Sequence, residues 1–299
     1  MAIDLLLSFG RANLVAGVAI ILVLTLRTPA RQSFGPHAAY VLWLVVPIAA
    51  AGSLMPAAIT SAAPGAVETA TDQLMTWLSF GAHAQDLWLI WAVGIGVSLA
   101  LAGWRQLRFS AAVKAGRAGP AAVGVIQPHM VAPADFAQRF NDQERRLIRA
   151  HERAHMDRLD ARYNALATFA TWAFWFNPLV HLALRAMRID QEVACDATVM
   201  QRLPTERRAY AETLLRSQLA ASAVPVFGSQ WAAHPLEARL RMLARRPASQ
   251  ARMDLGLAAL GLLCLTLFAA AWAAQPPYRP APTPLVIFME LTPPAMAGN

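Results

Sequence analysis

Four long apolar runs, at 5–26, 38–59, 87–104 and 255–274, constrain this chain more than any other feature. Each is close to the roughly twenty residues that a helix needs to cross about 30 Å of hydrocarbon. In lipid every backbone N–H and C=O must be satisfied within the protein, which leaves helices or a closed barrel; runs of this length without strict alternation specify helices. Only 15% of the residues are charged and 57% are hydrophobic, where a soluble domain carries about a quarter charged. The first run could pass for a signal peptide, but it has no basic leading segment and no convincing cleavage site, so it reads as a span. Arg11 near its outer end can snorkel to the interface.

Charge orients the spans. Of 26 Lys and Arg, 22 lie between 105 and 254, against 13 of the 18 acidic residues. The loop at 60–86 has no Lys or Arg and carries Glu68, Asp72 and Asp86, whereas the short connection at 27–37 holds Arg27 and Arg31. The positive-inside rule therefore puts 27–37 and 105–254 in the cytoplasm, and both termini outside. The net charge of +8 fits anchoring to anionic headgroups, as for the pair Arg245–Arg246, and no nucleic-acid motif accompanies it, so direct nucleic-acid binding is not expected. Cys195 falls in the cytoplasmic segment and Cys264 inside the last span, so no disulfide is expected; Cys195 reads as a small buried hydrophobe.

The chemistry is concentrated in the basic segment. His151-Glu-Arg-Ala-His155 is an H-E-x-x-H match, which on a helix sets two imidazoles on one face with Glu152 beside them as a base for an attacking water. Asn141 is a plausible N-cap for that helix with Glu144 as its capping-box partner. Asp157 and Asp160 continue it; either can accept from a ligand histidine, or pair with Arg153, Arg158 or Arg162. Upstream, 123–126 and 130–131 are short β-like runs whose edge could hold an extended peptide. The apolar stretch 165–187 is interrupted by Asn177-Pro178, which leaves two arms too short to cross; it reads as a helical hairpin on or in the inner leaflet, with Trp172, Trp175 and Phe176 at the interface. Glu192 and Asp196 then stand four apart on one helical face. Catalytic zinc takes three protein ligands and an open position, which makes Glu192 the natural third ligand and Asp196 a carboxylate to orient an imidazole. The competing reading makes both solvated charges, paired with Arg185 or Arg188.

These patterns together resemble the BlaR/MecR family of membrane zinc metallopeptidases, the antirepressor signal transducers. The resemblance rests on His151–His155 followed by Asp160, on the run Trp175-Phe-Asn-Pro-Leu-Val180, on Asp190-x-Glu-x-x-Cys-Asp196, and on their position between the third and fourth spans. It implies a gluzincin-like fold, Zn²⁺ as cofactor, and Glu192 as its third ligand. The run His234-Pro-Leu-Glu-Ala-Arg239 is similar to a late element of membrane zinc proteases in which the His and Arg lie at the active site; the alternative is an ordinary helix start with Pro at its first position. The family's antibiotic receptors carry a large penicillin-binding domain after the fourth span. Here 25 residues follow Ala274 without an S-x-x-K motif, so that sensor is not expected.

The expected fold is mainly α. Residues 1–104 form three spans, 105–254 a cytoplasmic zinc metalloprotease domain with a small β element and the hairpin 165–187, 255–274 the fourth span, and 275–299 a short extracytoplasmic tail. The expected activity is a zinc endopeptidase of a bacterial inner membrane. His151, His155 and Glu192 hold the metal, Glu152 is the catalytic base, His234 and Arg239 are candidates at the active site, and Asp160 and Asp196 orient ligands. Expected partners are the bilayer and a cytoplasmic protein substrate, by resemblance a winged-helix repressor, or the chain itself; a homodimer stays open. Two other readings compete: a non-catalytic signalling scaffold whose metal is closed by a fourth ligand such as His181, and a protease of lipidated or misfolded membrane proteins.

Overall fold

The computed structural model describes residues 2–56, 80–218, 229–230, 236–245 and 247–275. Its first part is α1 (Ala2–Ser33), α2 (Pro36–Val41), a 3₁₀ turn (Leu42–Leu44), α3 (Val45–Leu54) and α4 (Phe80–Lys114). There follow β1 (Ala121–Val123), β2 (His129–Val131), α5 (Phe136–Arg139), α6 (Asp142–Asp157), α7 (Asp160–Ala173) and α8 (Pro178–Arg202). A 3₁₀ turn (Pro204–Glu206), α9 (Arg207–Gln218), β3 (Ser229–Gln230), α10 (Leu236–Leu243) and α11 (Gln250–Ala273) complete it. Four helical segments, Leu5–Ser33, Pro36–Leu54, Gln85–Lys114 and Gln250–Ala273, are long and apolar enough to cross a membrane. This is a mainly helical membrane protein with one small sheet.

Three of the four spans outrun the apolar runs that announce them. α1 continues to Ser33, so Arg27 and Arg31 lie on its last turns and not in a connection. The second segment stops at Leu54, because Met55 turns extended ahead of Pro56. α4 begins at Phe80 and carries Asp86 with it. Its apolar face is exposed along Leu89, Ile90, Val93 and Val97, a surface suited to acyl chains. What contact it makes is close: a Cβ on Gly94 would lie 2.0 Å from the Trp175 ring, so only glycine lets that indole lie against the helix. Trp91 Nε1 donates to the Ala173 carbonyl at 2.7 Å, and Phe9 stacks on Phe174 at 4.8 Å between centroids.

α8 joins the two halves. Asn177 caps it by accepting from the Leu179 N–H, and Pro178 starts it where no N–H is needed. With 25 residues it runs about 37 Å. Val180, Ala183, Ala186 and Met187 pack into a core with Ile20 and Val23 of α1 and Trp43 and Val45 of the second segment. Cys195, Val199 and Met200 enter a second core with Leu147 and Ile148 of α6, Tyr210 and Leu214 of α9 and Leu243 of α10.

Three antiparallel strands form the sheet in the order β2-β1-β3, with Ala121 opposite both Val131 and Gln230. The first strand ends three residues before its expected limit, because Gly124 adopts φ +96°, a turn conformation. The helix of the H-E-x-x-H match is also shorter than expected. It opens with the Asn141–Glu144 capping box but ends at Asp157, since Leu159 is left-handed at φ 58°. Asp160 therefore does not continue that helix; it begins α7.

Candidate active site

α6 turns an otherwise charged sequence into an amphipathic helix, and its buried face carries Leu147, Ile148, His151, Glu152, Ala154 and His155. Opposite runs the second half of α8, with Glu192, Cys195 and Asp196 on the facing side. His151, Glu152, Glu192 and Asp196 are 0% exposed and His155 and Asp160 are 1% exposed, so this polar group is wholly inside the protein. Such a cluster is costly unless its charges are paired or a cation binds there.

Hydrogen positions follow from the partners. The Asp160 carboxylate accepts from His155 Nδ1 at 2.7 Å. The Tyr210 hydroxyl spends its proton on Asp196 Oδ1 at 2.6 Å, so its oxygen accepts from His151 Nδ1 at 2.8 Å. In their neutral forms both histidines thus keep the proton on Nδ1 and turn a bare Nε2 lone pair inward. Those two nitrogens stand 3.0 Å apart. Glu192 adds Oε2 at 3.3 Å from His151 Nε2 and Oε1 at 3.6 Å from His155 Nε2. Adjacent donors around tetrahedral zinc at about 2.0–2.1 Å lie roughly 3.3–3.4 Å apart. The three spacings straddle that value, and the donor set fits the metal. The same crowding of acceptors lifts His151 to about 10: burial opposes its charged form, while Cys195, Asp196 and Glu192 favour it more strongly.

Cys195 also belongs to the neighbourhood. With His151 and His155 it forms a buried group of metal-capable side chains whose donor atoms lie within 4.8 Å of one another. Its thiol, however, donates to the His151 carbonyl at 3.4 Å. Glu192 brings an oxygen within 3.6 Å of each imidazole Nε2, so it stands beside Cys195 as a candidate third donor. His181 is remote from this group in its bonding: its Nε2 meets the Trp175 carbonyl at 2.9 Å.

Glu152 lies on the adjoining edge of α6, and neither carboxylate oxygen makes a well-formed hydrogen bond. Burial pushes its carboxyl above the ordinary value and Glu192 adds to this, against the pull of His151, His155 and the Ala122 backbone of β1. Asp196 behaves oppositely. Burial would raise it, but the Arg239 guanidinium of α10, donating from Nε at 2.8 Å and Nη2 at 2.6 Å, holds it at about 2. Glu192 is held well below the usual range, despite burial, by His155, His151 and Arg239. Arg239 is itself buried and lies 3.5 Å from Glu192. Arg239→Met is expected to destabilise the protein by about 3–5 kcal/mol, because it strands a buried carboxylate. Denaturant unfolding in detergent measures this, and an unchanged midpoint would mean that Asp196 is solvated after all.

Of the residues marked by sequence, His151, Glu152, His155, Asp160, Glu192, Asp196 and Arg239 come together here, while His234 lies outside the described residues. Asp157 pairs with Arg202 at 2.9 Å instead. Two tyrosines were not foreseen. Tyr210 bridges His151 to Asp196, and Tyr40, from the second candidate span, donates to Asp160 at 3.1 Å and accepts from Gln191 at 2.8 Å. One turn on, Trp43 donates to Asp190 at 2.9 Å, and Arg27 of α1 grips the same carboxylate at 2.8 and 3.0 Å. The spans thus bond directly to the residues flanking Glu192 and to the partner of His155.

Residues 106–243 match the family model described as BlaR1 peptidase M56. This stretch, a little under half of the chain, is similar to the M56 peptidase family. The chain is 30% identical over 98 residues to the regulatory protein BlaR1 of Bacillus licheniformis, covering 32% of this chain and 16% of that protein. It is also 30% identical over 101 residues to the methicillin resistance mecR1 protein of Staphylococcus aureus, 33% of this chain and 17% of the relative. The regulatory protein BlaR1 of Staphylococcus aureus is 28% identical over 115 residues, 38% and 19% of the two chains. The matched stretch therefore spans between about a sixth and a fifth of the length of these relatives.

Proposed function

We propose that this protein is a membrane-embedded zinc endopeptidase of a bacterial inner membrane, with its M56 region in the cytoplasm, which cuts a cytoplasmic regulator or itself in transmembrane signalling. The observation that carries the reading is the convergence of two imidazole Nε2 nitrogens and a carboxylate at 3.0–3.6 Å in a buried interior. His151, His155 and Glu192 would hold Zn²⁺. Bound there, the ion would supply Lewis acidity to the scissile carbonyl and lower the pKa of the attacking water toward about 7. Glu152 takes that water's proton on a carboxylate oxygen and passes it to the departing amine nitrogen. Its burial suits the task, since a carboxyl pushed upward holds the proton between the two transfers. Asp160 and the Tyr210–Asp196 pair fix the imidazoles with Nε2 inward, and Arg239 keeps Asp196 charged. β2, as an edge strand, offers backbone groups to an extended substrate. The Bacillus relative is named a regulatory protein, which supports a role in regulation; a winged-helix repressor is the candidate substrate from the family resemblance alone.

Host cells expressing wild type or Glu152→Gln provide the test, by labelling new protein N-termini. Cleavage products of a cytoplasmic DNA-binding regulator, or of this chain, are expected with wild type alone. Products drawn from lipidated or misfolded membrane proteins would move the reading to quality control. Identical N-termini in both strains would sink the protease.

Asp160→Asn is expected to weaken zinc binding about 10–100-fold, as loss of a ligand's orienting carboxylate does, and Tyr40→Phe by less than about 10-fold. Competition with a fluorescent chelator measures both. Equal affinity in Asp160→Asn and wild type would remove the orienting role.

A further inference from the structure

The M56 region meets the spans around a cavity of about 590 Å³ that the active site does not use. It is lined by Arg27, Arg31, Arg207, Arg241, Arg245 and Arg252, and by one carboxylate, Glu237. Few anions answer these cations. Arg27 and Arg31 share Asp190, at 2.8 and 3.6 Å, and Arg241 pairs with Glu237 at 2.5 Å. Among the described residues Arg207 donates to the carbonyls of Leu243 and Arg245, at 2.8 Å each. Arg207, Arg245 and Arg252 have no carboxylate partner among the described residues. Six guanidiniums round one hollow repel one another and focus a positive potential that favours an anion.

Position narrows the ligand. One wall is the end of α1 and the turn at 33–37, another the start of α11, both at the ends of candidate spans. Phe34, Pro36 and Met253 add an apolar margin. Three candidate spans thus end beside the hollow, and it stands where headgroups lie. Guanidinium forks match phosphate oxygens, and basic pockets between spans on the cytoplasmic side suit phosphate headgroups.

We propose that this cavity binds the phosphodiester headgroup of an anionic phospholipid from the leaflet next to the M56 region. The site does not depend on the peptidase reading. The probe is phosphatidylglycerol added to delipidated full-length protein in detergent, compared with phosphatidylcholine of the same acyl chains and with soluble glycerol phosphate. Phosphatidylglycerol is expected to raise the unfolding midpoint by about 2–4 °C. Phosphatidylcholine is not, and the rise should fall by more than half in Arg245→Gln/Arg252→Gln. Arg105→Gln/Arg108→Gln, equally basic positions on α4, should keep the full rise. Should the first pair fold poorly, Arg252→Gln alone, with retained phosphatidylglycerol counted by native mass spectrometry, serves in its place. Equal effects of the two lipids, an equal loss in the α4 pair, or a matching rise with glycerol phosphate would each overturn the proposal.

Discussion

Glu152→Gln is expected to keep the metal and lower peptide-bond hydrolysis by about 10²–10⁴-fold. The substitution preserves shape and removes the one property the proposed chemistry needs, a carboxylate oxygen able to take and return a proton. Glu152 is fully buried with neither oxygen in a well-formed hydrogen bond, and burial raises its carboxyl against the pull of His151, His155 and the Ala122 backbone. The ligand nitrogens belong to His151 and His155, whose Nδ1 partners Tyr210 and Asp160 are untouched by the change. A buried amide without partners costs about 1–3 kcal/mol, so the variant's unfolding midpoint must be measured beside its rate. A folded, metal-loaded Glu152→Gln protein that cleaves at the wild-type rate would leave the proposed mechanism without a base.

What the sequence discloses here is what local periodicity can encode. The apolar runs disclose the spans because a helix in lipid needs nothing beyond length and hydrophobicity. The H-E-x-x-H spacing and the Glu192–Asp196 pair disclose two faces because i and i+4 always share one. Asn141 and Asn177 mark helix starts, the first through its capping box and the second beside Pro178. Asp160 was named for the contact it makes but assigned to the wrong helix. Leu159 carries neither the glycine nor the asparagine that usually announces a left-handed residue, and that reversal is what returns Asp160 to His155. Tyr210 and Tyr40 were invisible because they act 59 and 120 residues from the groups they hold, a separation no periodicity records. Arg239 was marked only by the resemblance of its run to membrane zinc proteases, since spacing alone says nothing of it, and tertiary packing turns it inward onto Asp196. The arginine-lined cavity has the same origin, since its cations come from four separate parts of the chain.

Zinc content should separate the donors. Purified wild type is expected to hold about one ion per chain, His155→Ala and Glu192→Ala to lose it, and Cys195→Ala to keep it. Both Glu192 oxygens face Nε2 nitrogens, at 3.3 and 3.6 Å, within the reach of a shared ion. Cys195 instead donates its thiol to the His151 carbonyl, and ligation would require losing both that bond and its proton. The distinction bears on function, because structural zinc is usually closed by four protein ligands, whereas catalytic zinc keeps a position open for water or substrate. If Cys195→Ala lost the metal as completely as Glu192→Ala, the site would be closed by two histidines, a carboxylate and a thiolate, and the non-catalytic scaffold would become the better reading. Zinc retained in a folded Glu192→Ala protein would leave the histidines as ligands and make Cys195 the third donor. Loss in His155→Ala and Glu192→Ala alone leaves an open coordination position beside Glu152, which is the arrangement hydrolysis requires.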